Sequence, residues 1–384
     1  MYRIDYNDKA ANEFFDEHKH RILESIHKYR EYYFESKYLI WEGTTGFVKD
    51  FLDFYSSEVN LKKLIVGKPN ELLKIVQCVQ YECNRSSINH FEYRLFDPNK
   101  QISQQDENII KNAEDIEKRI KIRKRKSTSP QEQDDLNRKN NVMQQKHLPD
   151  FRKILNRIFV DHIYDHKSFC KSEFVRKKGL RVCPYCGRNY IFSVKSNGID
   201  VKPHIDHFIP KAEFPFLSFS YYNLIPSCET CNVSCKKEKK PLTDDNMSYK
   251  ILNPYEYKDN SIFSFMIKNA DVFSDLIFTN EQNIQVVTNI NNDKDFFAIK
   301  SLYEKHNDLA HELLIRKQFW ATDTCQKYYQ DLLQKDPNVK AKMILAFLGY
   351  YNDFAEHGKH SFSKFFHDIA KHYDDLVAKG KNHI

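Results

Sequence analysis

The stretch that decides the fold of this chain is residues 181–240, RVCPYCGRNYIFSVKSNGIDVKPHIDHFIPKAEFPFLSFSYYNLIPSCETCNVSCKKEKK. It contains two CxxC pairs, Cys183/Cys186 and Cys228/Cys231, with an Asp-His pair and two asparagines between and beside them. Four thiolates in two closely spaced pairs are the ligand set of a closed tetrahedral zinc site. The stretch therefore predicts a small unit whose fold depends on a metal ion.

The predicted zinc site is structural. Forty-one residues separate Cys186 from Cys228, so the ion would join two segments that are distant along the chain. Because four thiolates fill the coordination sphere of zinc, this ion keeps no position for water or substrate. A redox role for Cys183-Pro-Tyr-Cys186 is excluded, since the residues around it do not form the strand and helix pattern of a thioredoxin-like unit. Catalysis in this region would need a second metal.

The polar residues of the stretch are those needed to hydrolyse a phosphodiester bond. His207 is able to take a proton from water near neutral pH, and Asp206 and Asn232 offer oxygen ligands that Mg²⁺ or Mn²⁺ accept. Asn223 is placed to hold the base by hydrogen bonding across a hairpin. On a straight strand Asp206 and His207 point to opposite faces. Both reach one phosphate only if the strand ends or bends there, and Pro210 favours such an end.

Three motifs in this stretch resemble those of the HNH nucleases of ββα-metal fold, in the subgroup with two zinc-binding CxxC pairs. They are Asp206-His207-x-x-Pro210, Asn223-Leu-x-Pro and Cys228-x-x-Cys231-Asn232. The resemblance covers about residues 181–245 and implies that His207 is the general base and that Asn223 orients it. It also implies that Asp206 and Asn232 bind the catalytic cation, usually Mg²⁺. Two strands would carry the first three of these residues, and a helix would carry Asn232.

Four basic residues near the motifs are candidate phosphate contacts: His204, Lys211, Lys236 and Lys237. The family often has a lysine a few residues after the final asparagine. Here Cys235 stands three residues after Asn232, so the choice between the two lysines that follow is left open. For His204 a surface or strand-filling role is the alternative.

A looser resemblance extends beyond the motifs. Residues 251–254, the strand pattern at 263–265 and the helical pattern at 302–314 are similar to the region after the HNH unit in bacterial anti-phage nucleases of the Septu type and those associated with retrons. This resemblance implies a defence role and an ABC-type ATPase or another defence-system subunit as partner.

Charge and composition favour a nucleic-acid partner. The formal net charge is +7, and residues 117–148 carry ten Lys or Arg against four Asp or Glu. A second basic cluster, residues 236–240, directly follows the cysteine-rich stretch. Basic surface beside a metal site suits a polyanionic substrate, although a solvated helix face or a flexible tail explains the first run equally well.

The sequence also indicates the compartment. Four of the nine cysteines are in paired spacing and the other five are scattered, which is typical of metal binding under reducing conditions. The N-terminus is polar, and no apolar run approaches the roughly 20 residues of a membrane span. We therefore expect a cytoplasmic protein without a membrane partner.

The predicted fold class is α+β, mostly α. Residues 1–100 are predicted to form a helical domain, in which Asn7-Asp8 and the Lys68–Glu71 stretch start helices. Residues 101–148 are predicted to form a basic, polar, partly mobile insertion or linker. Residues 149–250 would form the nuclease domain, with its core at 181–245 and a structural zinc site of four cysteines. Residues 251–384 would form a mostly helical domain with a few strands.

The function predicted from these residues is a metal-dependent endonuclease that nicks or cuts DNA, under the control of its flanking regions or a partner ATPase. Two alternatives stay open. An RNA- or tRNA-cleaving nuclease has the same residues, because nothing in the sequence reads a 2′-hydroxyl or a base. A non-catalytic, zinc-containing module that binds nucleic acid or protein would not need the Asp-His pair and the two asparagines.

Overall fold

The computed structural model describes residues 2–35, 42–85, 154–237, 239–243, 247–258, 263–268, 284–290, 295–336 and 339–381. The basic segment 101–148 lies outside the described residues. Within them the chain is mostly helical with small antiparallel sheets, as the sequence predicted.

In the described part of the N-terminal region the chain forms four helices, and the starts of the first and the fourth follow local capping rules. They are α1 (Asp8–Glu35), α2 (Glu42–Tyr55), α3 (Glu58–Val66) and α4 (Pro69–Arg85). The side chain of Asn7 accepts a hydrogen bond from the backbone N–H of Ala10 at 3.0 Å, and that of Glu71 accepts one from the N–H of Lys68 at 2.7 Å. Such bonds satisfy amide groups that the first turn of a helix leaves unpaired, so both predicted helix starts are confirmed.

The segment before the first CxxC pair contains two short helices. They are α5 (Asn156–Tyr164) and α6 (Lys171–Lys178). α5 is π-helical, and it closes with a bond from the N–H of Asp165 to the carbonyl of Val160 at 2.8 Å. α6 ends at Gly179, whose left-handed φ of 67° suits glycine.

Two hairpins and one helix form the centre of the chain. The first hairpin pairs β1 (Val194–Ser196) with β2 (Ile199–Val201) around Asn197-Gly198, the turn that the sequence signals. The second pairs β3 (His204–His207) with β4 (Leu224–Ser227), so that Asp206 lies opposite Ile225. The helix that follows, α7 (Thr230–Lys236), is π-helical and completes a strand-strand-helix unit.

The loop between β3 and β4 is held by backbone atoms of the N-terminal helices and α5. The N–H of Tyr221 donates to the carbonyl of Ile65 at 2.7 Å, and the hydroxyl of Ser220 donates to that of Leu64 at 2.6 Å. The hydroxyl of Ser218 donates to the carbonyl of Phe159 at 2.8 Å. These bonds fix the loop that faces the end of β3.

The C-terminal region, where the structure describes it, has one small sheet and five helices. The sheet pairs β5 (Phe265–Lys268) with β6 (Gln285–Thr288). The helices are α8 (Ile299–Tyr303), α9 (Asn307–Trp320), α10 (Asp323–Lys335), α11 (Val339–Leu348) and α12 (Ser363–Lys381). Short 3₁₀ helices occur at Pro215–Leu217, Pro254–Glu256 and Phe354–Lys359.

Buried side chains from all three regions belong to one continuous hydrophobic cluster, which includes the four zinc-site cysteines and the ring of Tyr185. Burying a large apolar side chain contributes about 1.5–3 kcal/mol to folding. The central unit is therefore supported from both sides. Among the described helices, none combines the length and the apolar character that crossing a membrane requires.

Candidate active site and metal centre

The four cysteines of the two CxxC pairs come together in one buried cluster. Their sulfur atoms all lie within 4.8 Å of one another, and the sulfurs of Cys186 and Cys228 are 3.9 Å apart. Four sulfurs at about 2.3 Å from a tetrahedral zinc ion would be about 3.8 Å apart. The cluster therefore fits a zinc ion in number, chemistry and spacing.

The backbone of the first CxxC pair has the conformation that closes such a site. The N–H of Gly187 donates to the carbonyl of Cys183 at 2.8 Å, and the N–H of Arg188 points at the sulfur of Cys186 at 3.4 Å. Gly187 has a left-handed φ of 68°, which a residue with a side chain adopts at a cost. The glycine thus lets the chain turn back over the metal ligands.

Both flanking regions contact this first CxxC pair directly. The hydroxyl of Tyr303, at the end of α8, donates to the carbonyl of Cys186 at 2.6 Å. The N–H of Phe362 donates to the carbonyl of Gly187 at 2.7 Å, and the hydroxyl of Tyr2 donates to that of Val182. The zinc-site turn is therefore anchored from the N-terminal and the C-terminal regions.

Asp206 lies near the end of β3 and is only 3% exposed. Its Oδ2 accepts a hydrogen bond from the hydroxyl of Tyr185 at 2.6 Å, and its Oδ1 pairs with the Nζ of Lys236 at 2.6 Å. Burial and the nearby Asp206 hold the pKa of Tyr185 well above its usual range, so this hydroxyl keeps its proton and donates. Both carboxylate oxygens are thus engaged.

Lys236 is the last residue of α7 and is 1% exposed. Besides Asp206, its Nζ donates to the backbone carbonyl of His207 at 2.6 Å. As placed, Asp206 does not fit a divalent cation in addition, because the lysine already supplies a positive charge at the carboxylate. Carboxylate and amide oxygens suit such a cation chemically. In the described arrangement, however, the carboxylate of Asp206 is already in contact with the lysine and the tyrosine.

His207 ends β3, and its imidazole faces the loop between β3 and β4. Its Nε2 is 3.0 Å from the carbonyl oxygen of Ser218, and its ring meets the ring of Tyr164 edge to face at 4.6 Å. Because a carbonyl only accepts, Nε2 carries the proton and Nδ1 is left as the basic nitrogen. Burial, helped by Lys211, lowers the pKa of His207 to about 3, so the ring is neutral near pH 7.

Asp206 and His207 therefore contact different partners on the two sides of β3, as strand alternation dictates. The strand ends at His207. The backbone carbonyl of His207 and the carboxylate of Asp206 share the Nζ of Lys236. Lys236 is thus the group that links the two residues.

Asn223 is 1% exposed and holds the loop after His207 rather than the imidazole itself. Its Oδ1 accepts from the N–H of Ile209 at 2.7 Å, and its Nδ2 donates to the carbonyls of Ile209 at 3.0 Å and Leu217 at 3.1 Å. Leu217 directly precedes Ser218, whose carbonyl accepts from His207. The amide of Asn223 therefore acts on the imidazole through the backbone.

The remaining predicted site residues lie around this centre. Asn232 is half-buried on α7, and its backbone N–H donates to the carbonyl of Cys228 at 3.0 Å. His204 is exposed at the start of β3, and Lys237 is exposed just after α7. The Nζ of Lys211 lies 4.8 Å from the ring centre of Tyr164 and 4.0 Å from the carboxylate of Asp165. Lys236 alone among the candidate phosphate contacts is buried.

Sequence reasoning missed Tyr185 and the inward position of Lys236. Tyr185 lies inside the CxxC motif, where the pattern assigns no role to the middle residues. Lys236 belongs to a basic run of the kind that is usually exposed. A cavity of about 660 Å³ contains none of the predicted site residues, since it is lined by residues 2–7, 178–181, 355 and 358–359.

Comparison with known proteins identifies the central unit. Residues 183–238 match the model of the HNH endonuclease family. Over 77 residues the chain is 34% identical to protein ea31 of Escherichia phage lambda, and the alignment covers 20% of this chain and 22% of that protein. The chain therefore spans about a fifth of the length of this relative. No solved structure matches the chain. Residues 183–238 are an HNH endonuclease domain with a four-cysteine cluster suited to zinc.

Proposed function

We propose that this protein is an endonuclease that hydrolyses phosphodiester bonds of DNA in its HNH domain, with a divalent cation such as Mg²⁺ or Mn²⁺. The family match at residues 183–238 supports the reaction class. The single observation that carries the proposal is the imidazole of His207, whose Nε2–H is held by the carbonyl of Ser218 within that domain.

His207 would act as the general base. Its Nε2–H is held by the carbonyl of Ser218, so the ring presents the unprotonated Nδ1. That nitrogen takes a proton from a water molecule as the water attacks phosphorus, and the ring becomes imidazolium in the transition state. Asn223 holds the loop that carries Ser218 against the segment that follows β3. These contacts fix the direction of the imidazole.

A divalent cation supplies positive charge for the phosphate and the departing oxygen when it is bound. Asp206 and Asn232 are the proposed ligands because carboxylate and amide oxygens suit such ions. In the described arrangement that carboxylate contacts the ammonium of Lys236 and the hydroxyl of Tyr185 instead.

Cleavage of supercoiled plasmid by the purified zinc-loaded protein tests the proposal. We expect nicking or linearisation with Mg²⁺ or Mn²⁺, no reaction in EDTA, and a loss of at least about 100-fold in rate for His207→Ala. The matched control is His166→Ala, because His166 is exposed and lies outside the family match at residues 183–238. Its rate should equal that of the wild type.

Two other outcomes would change the assignment. Cleavage of RNA but not DNA, with the same dependence on His207, would make the protein a ribonuclease. A zinc-loaded wild-type protein that cleaves neither polymer with any divalent ion, even with the products of neighbouring genes added, would indicate a binding module.

The anti-phage role and the ABC-type ATPase partner are a finer proposal, supported by sequence resemblance alone. Co-expression with an ATPase encoded next to this chain, followed by co-purification and a plaque assay, tests it. Plaque counts should fall with the wild-type pair and recover with His207→Ala.

A further inference from the structure

Lys236 occupies the position at Asp206 that a catalytic cation would need. We propose that Lys236 and a divalent cation compete for Asp206, so that the cation binds when the lysine ammonium leaves the carboxylate. The inference rests on the proposed nuclease function for the cation, and it adds a residue that sets how readily the cation is taken up.

Geometry is the first argument. The Nζ of Lys236 lies 2.6 Å from Oδ1 of Asp206, and the hydroxyl of Tyr185 lies 2.6 Å from Oδ2. The lysine is 1% exposed and the aspartate 3% exposed, so bulk water does not share these contacts. A cation with oxygen ligands at about 2.0–2.1 Å would have to enter beside an ammonium that is already in contact with the same carboxylate.

Charge is the second argument. One carboxylate balances one ammonium, and a second cation a few ångströms away would be repelled by the first. The repulsion is poorly screened because the pair is buried. A divalent ion at Asp206 and the ammonium of Lys236 beside the same carboxylate therefore repel each other, and each lowers the occupancy of the other.

The position of Lys236 in the chain makes its departure feasible. It is the last residue of α7, and the next residue, Lys237, is exposed with a left-handed φ of 50°. A lysine side chain has a flexible stem of four carbons and carries its charge at the tip. Once released from Asp206, the ammonium remains within one lysine side-chain length of the cation site. There it is available to a phosphate group of the substrate.

The competing explanation is a permanent structural bridge, in which Lys236 joins Asp206 to the carbonyl of His207 and never leaves. The two explanations differ in what happens to cation affinity when the ammonium is removed. Competition predicts tighter binding, whereas a permanent bridge that positions the ligands predicts weaker or unchanged binding.

Binding of Mn²⁺ to the full-length zinc-loaded protein, measured from the free-ion electron paramagnetic resonance signal, distinguishes them. We expect Lys236→Met to lower the dissociation constant about tenfold or more, and we expect the additional change Asp206→Asn to abolish this gain. Lys237→Met removes an adjacent exposed charge, so it should change the constant by less than about twofold. Equal or weaker binding by Lys236→Met would overturn the proposal.

A second measurement uses the wild-type protein and does not depend on the variant folding. Reductive methylation of lysines, read by mass spectrometry, should label Lys236 slowly in EDTA and several-fold faster with saturating Mg²⁺, while Lys237 is labelled equally in both. Unchanged labelling of Lys236 would overturn competition. Mg²⁺-dependent cleavage with unchanged labelling would support the nuclease proposal and overturn the competition. Metal-dependent labelling without cleavage of any nucleic acid would support the competition and argue against the nuclease proposal.

Discussion

The hydroxyl of Tyr185, a residue inside the first CxxC pair, donates a hydrogen bond to the carboxylate of Asp206 at 2.6 Å. The ring of Tyr185 stacks on that of Phe297 at 4.2 Å and is fully buried. The same four-residue motif therefore supplies two zinc ligands and one contact to the proposed catalytic strand. The four-cysteine cluster and the proposed active site are linked through this tyrosine.

The first prediction concerns the zinc ligands. Cys231→Ser should remove zinc and lower the free energy of unfolding by more than about 3 kcal/mol, because zinc binding is folding energy and supplies about 10–16 kcal/mol in zinc-finger peptides. Zinc content by atomic absorption and denaturation in urea measure the two effects. Cys170→Ser is the matched control, since Cys170 is exposed and outside the cluster. A fully stable, zinc-free Cys231→Ser protein would contradict the structural role of the ion.

The second prediction concerns Tyr185. Tyr185→Phe keeps the stacked ring but leaves one oxygen of the buried Asp206 with one partner fewer. Losing a hydrogen bond to a charged group costs about 1.5–3 kcal/mol, and we expect a loss in this range together with slower cleavage. Tyr190→Phe is the control because Tyr190 is 45% exposed, and its free energy of unfolding should change by less than about 0.5 kcal/mol. Equal stability of the two variants would show that the bond to Asp206 contributes nothing.

Local signals in the sequence were enough to predict much of this arrangement. The spacing of the cysteines predicted one cluster and Asn7 predicted the start of α1, while Asn197-Gly198 are residue types that favour the first hairpin turn. Each of these depends on a few neighbouring residues or on the fixed coordination of one ion. The strict demands of a turn, a cap and a metal are met by particular residue types, which a sequence shows directly.

The contacts of Lys236 could not be predicted in the same way. Its partner, Asp206, lies 30 residues away in sequence, and the choice between Lys236 and Lys237 depends on the twist of α7. That helix closes with a bond from the N–H of Lys237 to the carbonyl of Asn232 at 2.9 Å, which is the five-residue spacing of a π-helix. A regular α-helix would turn each of the two lysines in a different direction from the one it has in this π-helix. Only the fold therefore shows which lysine is buried.

The third prediction concerns the two asparagines. Asn223→Ala leaves the N–H and carbonyl of Ile209 and the carbonyl of Leu217 without their partner. Since each unsatisfied buried group costs about 1–3 kcal/mol, we expect a loss of about 3 kcal/mol or more and no measurable cleavage. Denaturation in urea and the plasmid assay measure these effects.

Asn232→Ala is the contrast to Asn223→Ala. Asn232 is half-buried on α7, and alanine is the better helix former, so its free energy of unfolding should change by less than about 1 kcal/mol. Its cleavage should nevertheless fall, because the proposed cation ligand is gone. Full activity of Asn232→Ala would remove this residue from the proposed site.

The fourth prediction concerns acid stability and two histidines outside the proposed site. Burial lowers the pKa of His18 to about 4 and that of His357 to about 4. His18 packs edge to face against Phe14 and Phe219, with Glu17, Arg21, Glu173 and Lys177 nearby, and His357 faces His367, Lys364 and Asp368. In the unfolded chain a histidine binds its proton near pH 6.5.

The unfolded state therefore binds more protons than the folded state between about pH 6.5 and 4. Stability is full above pH 6.5 and falls as the pH drops through this window, by about 1.4 kcal/mol per pH unit for each histidine. At pH 5 each would have removed about 2 kcal/mol. Urea denaturation at pH 7.5 and pH 5.0 measures how much the free energy of unfolding falls between the two pH values. This difference should be smaller for His18→Gln and for His357→Gln than for the wild type. His20→Gln, at an exposed position two residues from His18, should keep the wild-type difference, and an identical difference in all four proteins would show that the buried rings do not cause the acid sensitivity.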